Sequence, residues 1–182
     1  MSTKQMLLSG FGGQGILFAG KFLAYKGLTD GKQVSWLPSY GPEMRGGTAN
    51  VSVILSDQRI SSPIIQKFDT AVILNQQSLD KFESQVKPGG VLIYDPNGII
   101  HPPTRTDIKI YKVAAAEAAS KTGNMKVFNM VVLGGYLKVK PIVSIENVKE
   151  GLAHSLPERL HKLIPANEAA IKIGMDIVEE VR

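Results

Sequence analysis

The sequence predicts an α/β fold: a Rossmann-like, mostly parallel twisted sheet with helices on both faces, in a single domain that covers residues 1–182. Short apolar strands alternate with segments of helical periodicity through the first half of the chain, which is typical of such sheets. The first strand also ends in a glycine-rich turn that leads directly into a helix. A length of 182 residues with 43% hydrophobic residues suits one substantial core.

The predicted elements follow one another in a regular order. Strands are expected where apolar or alternating residues end at a glycine, proline or polar turn, at residues 6–9, 34–37, 51–56, 70–74, 91–95 and 108–113. Residues 60–65 form either a further strand or a loop. Helices are expected where apolar residues recur at helical spacing, at residues 16–28, 78–86, 114–121, 127–137 and 167–181. Because Gly134 and Gly135 each lower helix stability by about 1 kcal/mol, close packing is expected there.

A glycine-rich segment with the sequence GFGGQG follows the first strand and matches the pattern G-x-G-x-x-G. In that pattern the first glycine allows a tight turn, the second lets the backbone approach a phosphate, and the third lets the helix pack on the strand. The N-terminus of the following helix presents N–H groups to an anion. The segment therefore contains candidate cofactor-binding residues, which are Gly10, Gly12, Gly13, Gln14 and Gly15.

An NAD site further requires an acidic residue about 20 residues later, at the end of the second strand. The second strand ends at residues 36–39 without Asp or Glu, and Asp30 precedes the strand, where a turn explains it better. Three interpretations remain open for the glycine segment: an anion or nucleotide-like ligand, a purely structural turn and, least favoured, NAD.

A second glycine-rich loop, Ser39–Thr48, also follows a strand. Because the carboxyl ends of parallel strands meet at one edge of a sheet, the two loops are expected to line that edge together. Glu43 and Arg45 lie among the three glycines of this loop. An acid and a base on such a loop can position a substrate, a partner or an anion, and a local surface ion pair explains them equally well.

Other functional classes find little support in the sequence. With no cysteine, the chain alone cannot hold a cysteine-ligated iron–sulfur cluster, and no catalytic residue or metal ligand is assigned. Aromatic and basic residues do not interleave, so no nucleic acid is expected. The chain has no apolar run of about 18 residues and no secretory signal at its start, so no membrane contact and a cytoplasmic location are expected.

Three segments together resemble the gamma subunit of 2-oxoacid:ferredoxin oxidoreductases. They are residues 10–15, residues 38–50 with the sequence PSYGPEMRGGTAN, and residues 129–135 with the sequence NMVVLGG. The second segment is long and unusual, and its form is closest to the 2-oxoglutarate-specific enzymes, followed by the pyruvate and ketoisovalerate enzymes. The resemblance extends from about residue 4 to about residue 174.

The resemblance implies that the chain is one subunit of an enzyme and is inactive alone. Enzymes of this family oxidatively decarboxylate a 2-oxoacid to an acyl-coenzyme A and reduce ferredoxin. The complex uses thiamine diphosphate, Mg²⁺, iron–sulfur clusters and coenzyme A. Alpha and beta subunits carry the thiamine site, a delta subunit carries ferredoxin-type clusters, and ferredoxin accepts the electrons. The gamma chain holds no cofactor alone and supports the active site near coenzyme A.

The resemblance also implies roles for individual residues. Residues 10–15 are expected to face coenzyme A or a partner chain, and Arg45 is expected to meet a carboxylate or phosphate while Glu43 holds it. Contacts with substrate or partner are expected at Tyr40, Glu43, Arg45, Gly46, Gly47, Thr48 and Asn129. Two alternatives stay open, a stand-alone nucleotide-binding Rossmann module and a purely structural subunit. The choice of 2-oxoacid is not fixed by this sequence.

Overall fold

The computed structural model describes residues 2–40, 47–146 and 148–182, with only the backbone of Tyr40. The described residues form one seven-stranded sheet in the order β2-β3-β1-β4-β5-β6-β7. The strands are β1 Thr3–Phe11, β2 Gln33–Tyr40, β3 Thr48–Ser56, β4 Phe68–Ile73, β5 Val86–Tyr94, β6 Lys109–Lys112 and β7 Glu179–Glu180.

The sheet is mostly parallel, as the alternation of strands and helices predicts. Five of the described strands run in one direction. β1, β4, β5 and β6 do so because each pairs parallel with the next. β2 shares their direction because β1 and β2 both pair antiparallel with β3. β3 runs against both β1 and β2, and β7 runs against β6. β3 is inverted because only seven residues separate it from β2 in sequence, and a connection this short joins antiparallel strands.

Helices cover both faces of the sheet, which confirms the predicted fold class. They are α1 Ile16–Thr29, α2 Gln76–Phe82, α3 Ala115–Lys121, α4 Phe128–Val139, α5 Val148–Ser155 and α6 Ile164–Ile177. The larger core lies on the face that α1, α3, α4, α5 and α6 cover. The smaller core lies on the other face, where Leu79 and Phe82 of α2 pack against β4 and β5. No helix within the described ranges is long and apolar enough to cross a membrane.

Some element boundaries differ from the sequence prediction. β2 continues through Pro38, which an edge strand tolerates because the missing N–H costs no ladder bond on its open side. Residues 60–65 form no strand. The last helix begins at Ile164 and ends at Ile177, since Pro165 suits the first helical turn and residues 179–180 pair with β6 instead.

Glycines allow α4 and α6 to approach each other at backbone distance. A Cβ on Gly134 would overlap the carbonyl oxygen of Ile171, and a Cβ on Gly174 would overlap that of Val131. A Cβ on Gly135 would overlap the Val113 side chain. The expectation of close packing around Gly134 and Gly135 is therefore confirmed, and α4, which is buried from Phe128 to Leu137, is fixed in place.

We predict that Gly174→Ala destabilises the chain by about 3 kcal/mol, because the added methyl group meets backbone that cannot rotate away. This cost exceeds the gain of about 1 kcal/mol that alanine brings to a helix interior. Urea denaturation followed by circular dichroism measures the difference. Ala169→Ser, on the exposed side of the same helix, is the control and should change stability by less than about 0.5 kcal/mol. Equal effects of the two substitutions would contradict the close helix contact.

Candidate functional site

The glycine segment forms a β-turn at the end of a strand. β1 continues through Gly10 to Phe11, and the Gln14 N–H donates to the Phe11 carbonyl oxygen at 3.2 Å. Gly13, the third residue of this turn, has φ of 95°, a value that favours glycine. Gly15 then precedes α1 in a left-handed conformation with φ of 74°. The predicted order of strand, glycine turn and helix is confirmed, although Gly10 belongs to the strand.

Gly10 is required by the close approach of neighbouring side chains. A Cβ at this position would overlap Gln14 Oε1 and would lie 2.8 Å from Ile16 Cδ1 and 2.9 Å from Leu74 Cβ. Gln14 folds back over the strand end, where its Oε1 accepts a hydrogen bond of 2.7 Å from the Phe11 N–H. The side chain of Gln14 therefore braces the turn from inside.

The start of β3 closes the turn from the other side. The Gly12 N–H donates to the Gly47 carbonyl oxygen at 2.9 Å, and Phe11 pairs with Thr48 in the antiparallel ladder. The structure thus brings the glycine segment together with Gly47 and Thr48, as expected for two loops at one sheet edge. It also engages the Gly12 and Gln14 N–H groups in bonds within the chain, so these two backbone donors do not point freely to a ligand.

Asn129, at the beginning of α4, holds the glycine segment to the core. Its Nδ2 donates to the Gly15 carbonyl oxygen at 3.1 Å, and its side chain fills the space where a Cβ on Gly15 would lie, with Nδ2 only 2.5 Å from that position. Asn129 is 8% exposed. The structure therefore gives Asn129 a bracing contact 114 residues away in sequence, whereas a ligand or partner contact remains a prediction.

The exposed part of this edge is the corner of the turn together with the N-terminus of α1. Gly13 is exposed, and no described atom lies within 4 Å of the position that a Cβ would take. Phe11 beside it is 37% exposed. Among the described residues no side chain caps α1, and its first turn contains no acidic residue. None of these described groups neutralises the positive end of the α1 dipole, which attracts negative charge.

Several predicted contacts lie outside the described residues. Glu43, Arg45 and Gly46 belong to the part of the loop that the structure does not describe, and so does the side chain of Tyr40. The Tyr40 backbone pairs with Ala49, next to Thr48.

Asp30 does not lie at a nucleotide-binding position. Its Oδ1 lies 3.4 Å from Lys26 Nζ, and its Oδ2 accepts a 2.7 Å hydrogen bond from the Ser144 N–H. The residue follows α1 at the edge of the sheet remote from the glycine turn. The interpretation of Asp30 as a turn residue agrees with these contacts.

Comparison with known proteins identifies the family. The model of the pyruvate ferredoxin/flavodoxin oxidoreductase family matches residues 5–177. The chain belongs to this family. It is 34% identical over 98% of its length to the 2-oxoglutarate synthase subunit KorC of Methanocaldococcus jannaschii, of which it covers 95%. It is 40% identical over 127 residues to the ketoisovalerate oxidoreductase subunit VorA of Methanothermobacter thermautotrophicus, but spans only 26% of that longer chain.

The fold agrees with the family assignment. The gamma subunit of a keto/oxoacid ferredoxin oxidoreductase from Geobacter sulfurreducens superimposes with a TM-score of 0.82 at 28% identity, and the match covers 97% of each chain. The resemblance predicted from the three sequence segments is thereby confirmed.

Sequence reasoning missed a row of buried polar residues in this member of the pyruvate ferredoxin/flavodoxin oxidoreductase family. Ser9, Asn75 and Asp95 lie at the carboxyl ends of β1, β4 and β5. Ser9 Oγ donates to Ser78 Oγ at 2.8 Å, and Asn75 Oδ1 accepts from the Ser78 N–H at 2.8 Å. Asn75 Nδ2 has no hydrogen-bond partner among the described residues. An Asn or Asp directly after an apolar strand was the available sequence signal.

Asp95 is a buried cap for the turn that follows β5 and for the first turn of α3. Its two oxygens accept hydrogen bonds from the Asn97 N–H at 3.0 Å and from the Ala116 N–H at 3.1 Å. Burial raises the pKa of Asp95 above its usual value, and these two hydrogen bonds oppose the shift. The contacts give Asp95 a structural role at the same edge as the glycine turn.

We predict that Gly15→Ala destabilises the chain by about 3 kcal/mol, because the methyl group adds a clash with Asn129 to the strain of a left-handed residue. Gly13→Ala is the matched control, since it has the same sign of φ and open space, and should cost about 1–2 kcal/mol. Chemical denaturation measures both effects.

The double variant Gly15→Ala/Asn129→Ala separates the clash from the backbone strain. Because Asn129→Ala empties the space that the new methyl group needs, the double variant should be more stable than the sum of the single effects by about 1 kcal/mol. Strict additivity would show that Asn129 does not brace Gly15.

Proposed function

We propose that residues 1–182 form one gamma-type domain, the gamma subunit of a multi-subunit 2-oxoacid:ferredoxin oxidoreductase that acts on 2-oxoglutarate. The complex oxidatively decarboxylates the 2-oxoacid to an acyl-coenzyme A and reduces ferredoxin. The near full-length similarity to a 2-oxoglutarate synthase subunit is the observation that carries this proposal. The glycine-rich segment at residues 38–50 supports the choice of 2-oxoglutarate.

The chemistry is assigned to other chains of the complex. Alpha and beta subunits bind thiamine diphosphate and Mg²⁺, and a delta subunit carries the iron–sulfur clusters that pass electrons to ferredoxin. The chain has no cysteine with which to hold such a cluster. Neither nucleic acid nor membrane is a partner, and the complex is cytoplasmic.

The edge formed by residues 11–15, 47–48 and the first turn of α1 faces coenzyme A or the chain that binds it. Coenzyme A is polyanionic, and this edge offers the exposed Gly13 corner and an uncapped helix N-terminus. Because Gly12 and Gln14 use their N–H groups internally, they shape the turn instead of donating to the ligand. We further propose that Arg45 meets a carboxylate or phosphate and that Glu43 helps to hold it.

A stand-alone nucleotide-binding module is the main alternative. Asp30 is engaged by Lys26 and Ser144, so it cannot serve as the acid that binds a ribose. Tight binding of NAD or flavin by the isolated chain would favour this alternative over the proposed function.

The assembled complex provides the test. Produced together with its alpha, beta and delta subunits, the chain should support ferredoxin reduction that requires both a 2-oxoacid and coenzyme A, with a higher kcat/KM for 2-oxoglutarate than for pyruvate. Gly13→Val should lower kcat/KM for coenzyme A about tenfold, because a branched side chain then occupies the exposed corner of the turn.

Gly31→Val is the matched control for that variant. Gly31 has φ of 77° and equally open surroundings, but it lies beyond the other end of α1. The control should keep the kinetics of the unmodified complex, and equal losses in both variants would exclude a role for the Gly13 corner. Full activity without coenzyme A would contradict the proposed reaction.

A further inference from the structure

A lysine-rich groove lies at the sheet edge opposite to the glycine turn. One cavity of about 170 Å³ opens where β1, β4 and β5 begin, and a second of about 320 Å³ adjoins it next to Lys32 and Leu55. The two cavities share Lys4, Lys140 and Ile142 in their walls. We call the two cavities together the basal groove. Nine residues of β1 separate this edge from the glycine turn, a distance of about 26 Å.

Positive charge in the basal groove exceeds negative charge. Lys87 Nζ lies 2.7 Å from Asp69 Oδ1 and 2.9 Å from Gln5 Oε1, and Lys32 pairs with Asp57. Lys4 and Lys140, by contrast, have no acidic partner among the described residues, and both belong to the wall that the two cavities share. Two cationic side chains are therefore available to a negatively charged group from outside the chain.

The floor of the basal groove is rigid and its rim is partly apolar. Tyr136 is fully buried beneath it and donates its hydroxyl hydrogen to Met6 Sδ, with the two heavy atoms 2.9 Å apart. Pro141, Ile142 and Pro88 line the walls. A ligand that combines acidic groups with apolar ones fits such a surface better than a fully hydrated ion does.

The position of α4 argues against a compact phosphate in this groove. α4 ends at Val139, so its carbonyl ends and the negative end of its dipole point towards the Lys140 side of the groove. Phosphate sites usually combine helix N-termini or converging backbone N–H groups, which is the reverse arrangement. Lysines on the rim can instead pair with carboxylates spaced along an extended segment.

We propose that the basal groove binds an acidic segment of another subunit of the same complex, with its carboxylates paired to Lys4 and Lys140 and an apolar side chain against Ile142. The proposal rests on the chain working as a subunit, but not on what the glycine turn contacts. The chain then meets its ligand or catalytic partner at one edge of the sheet and a second docking partner at the other.

Carbodiimide cross-linking of the assembled complex tests the contact directly, since this reagent joins an amine to a carboxylate without a spacer. Peptide mass spectrometry should find Lys4 or Lys140 linked to Asp or Glu of another subunit. If neither lysine is linked to a second subunit while Lys162 and Lys172 are, the docking site lies elsewhere and the proposal is overturned.

The double variant Lys4→Glu/Lys140→Glu should weaken binding of that subunit by about tenfold and increase its sensitivity to salt. Lys162→Glu/Lys172→Glu is the control, because it makes the same charge change at exposed positions near and on α6. The control should stay within about twofold of the unmodified chain. If the charge-reversed variant does not fold, Lys4→Gln/Lys140→Gln takes its place. Equal binding by the test and control variants would overturn the proposal.

Inorganic phosphate distinguishes a docking groove from a site for a small anion. At constant ionic strength, phosphate should raise the Tm of the unmodified chain no more than that of Lys4→Gln/Lys140→Gln. A selective rise in the unmodified chain would identify a small-anion site and would overturn the docking proposal. Normal coenzyme A kinetics in a Lys4→Glu/Lys140→Glu complex that does assemble would keep the proposed function intact.

Discussion

The hydrogen bond from Asn129 Nδ2 to the Gly15 carbonyl oxygen joins the glycine turn to the buried helix α4. Gly15 adopts its left-handed conformation where the Asn129 amide leaves no room for a Cβ. Because β1 pairs with both β3 and β4, a turn fixed at its end also fixes its neighbours, and the Gly12–Gly47 bond extends this constraint to the start of β3. The residues on either side of the exposed Gly13 are therefore held in place by hydrogen bonds to α4 and β3.

The position of α4 depends in turn on its contact with α6. Gly134 and Gly174 permit the two helix backbones to touch, so a side chain at either position would push α4 and α6 apart. α4 begins beside the glycine turn and ends beside Lys4 and the basal groove, a span of about 18 Å. One buried helix thus spans most of the distance of about 26 Å between the two proposed contact edges.

The sequence predicted those elements whose conformation depends on residues close to one another in the chain. The order of strand, glycine turn and α1 could be predicted because the glycine spacing and the apolar periodicity act within about 25 residues. The close packing at Gly134 and Gly135 could be predicted because glycine inside a buried helix needs a compensating contact. Family membership followed mainly from the unusual segment at residues 38–50.

The features that could not be predicted depend on contacts between residues far apart in the sequence. The place of β3 beside β1 depends on antiparallel pairs such as Thr3–Ser56, and the internal use of the Gly12 N–H depends on Gly47, 35 positions later in the chain. The bracing role of Asn129 depends on a contact across 114 residues. The glycine pattern alone therefore suggested free donors for a phosphate, whereas the folded chain commits two of them to holding the turn.

Hydrogen–deuterium exchange, measured on the isolated chain and on the assembled complex, tests most directly whether this edge is preformed and then covered by a partner or ligand. In the isolated chain the Gly12 and Gln14 amides should exchange slowly, because both are hydrogen-bonded, while the Gly13 amide exchanges fast. In the complex, exchange at Gly13 should also become slow. Fast exchange at Gly12 and Gln14 in the isolated chain, or unchanged exchange at Gly13 on assembly, would contradict the account.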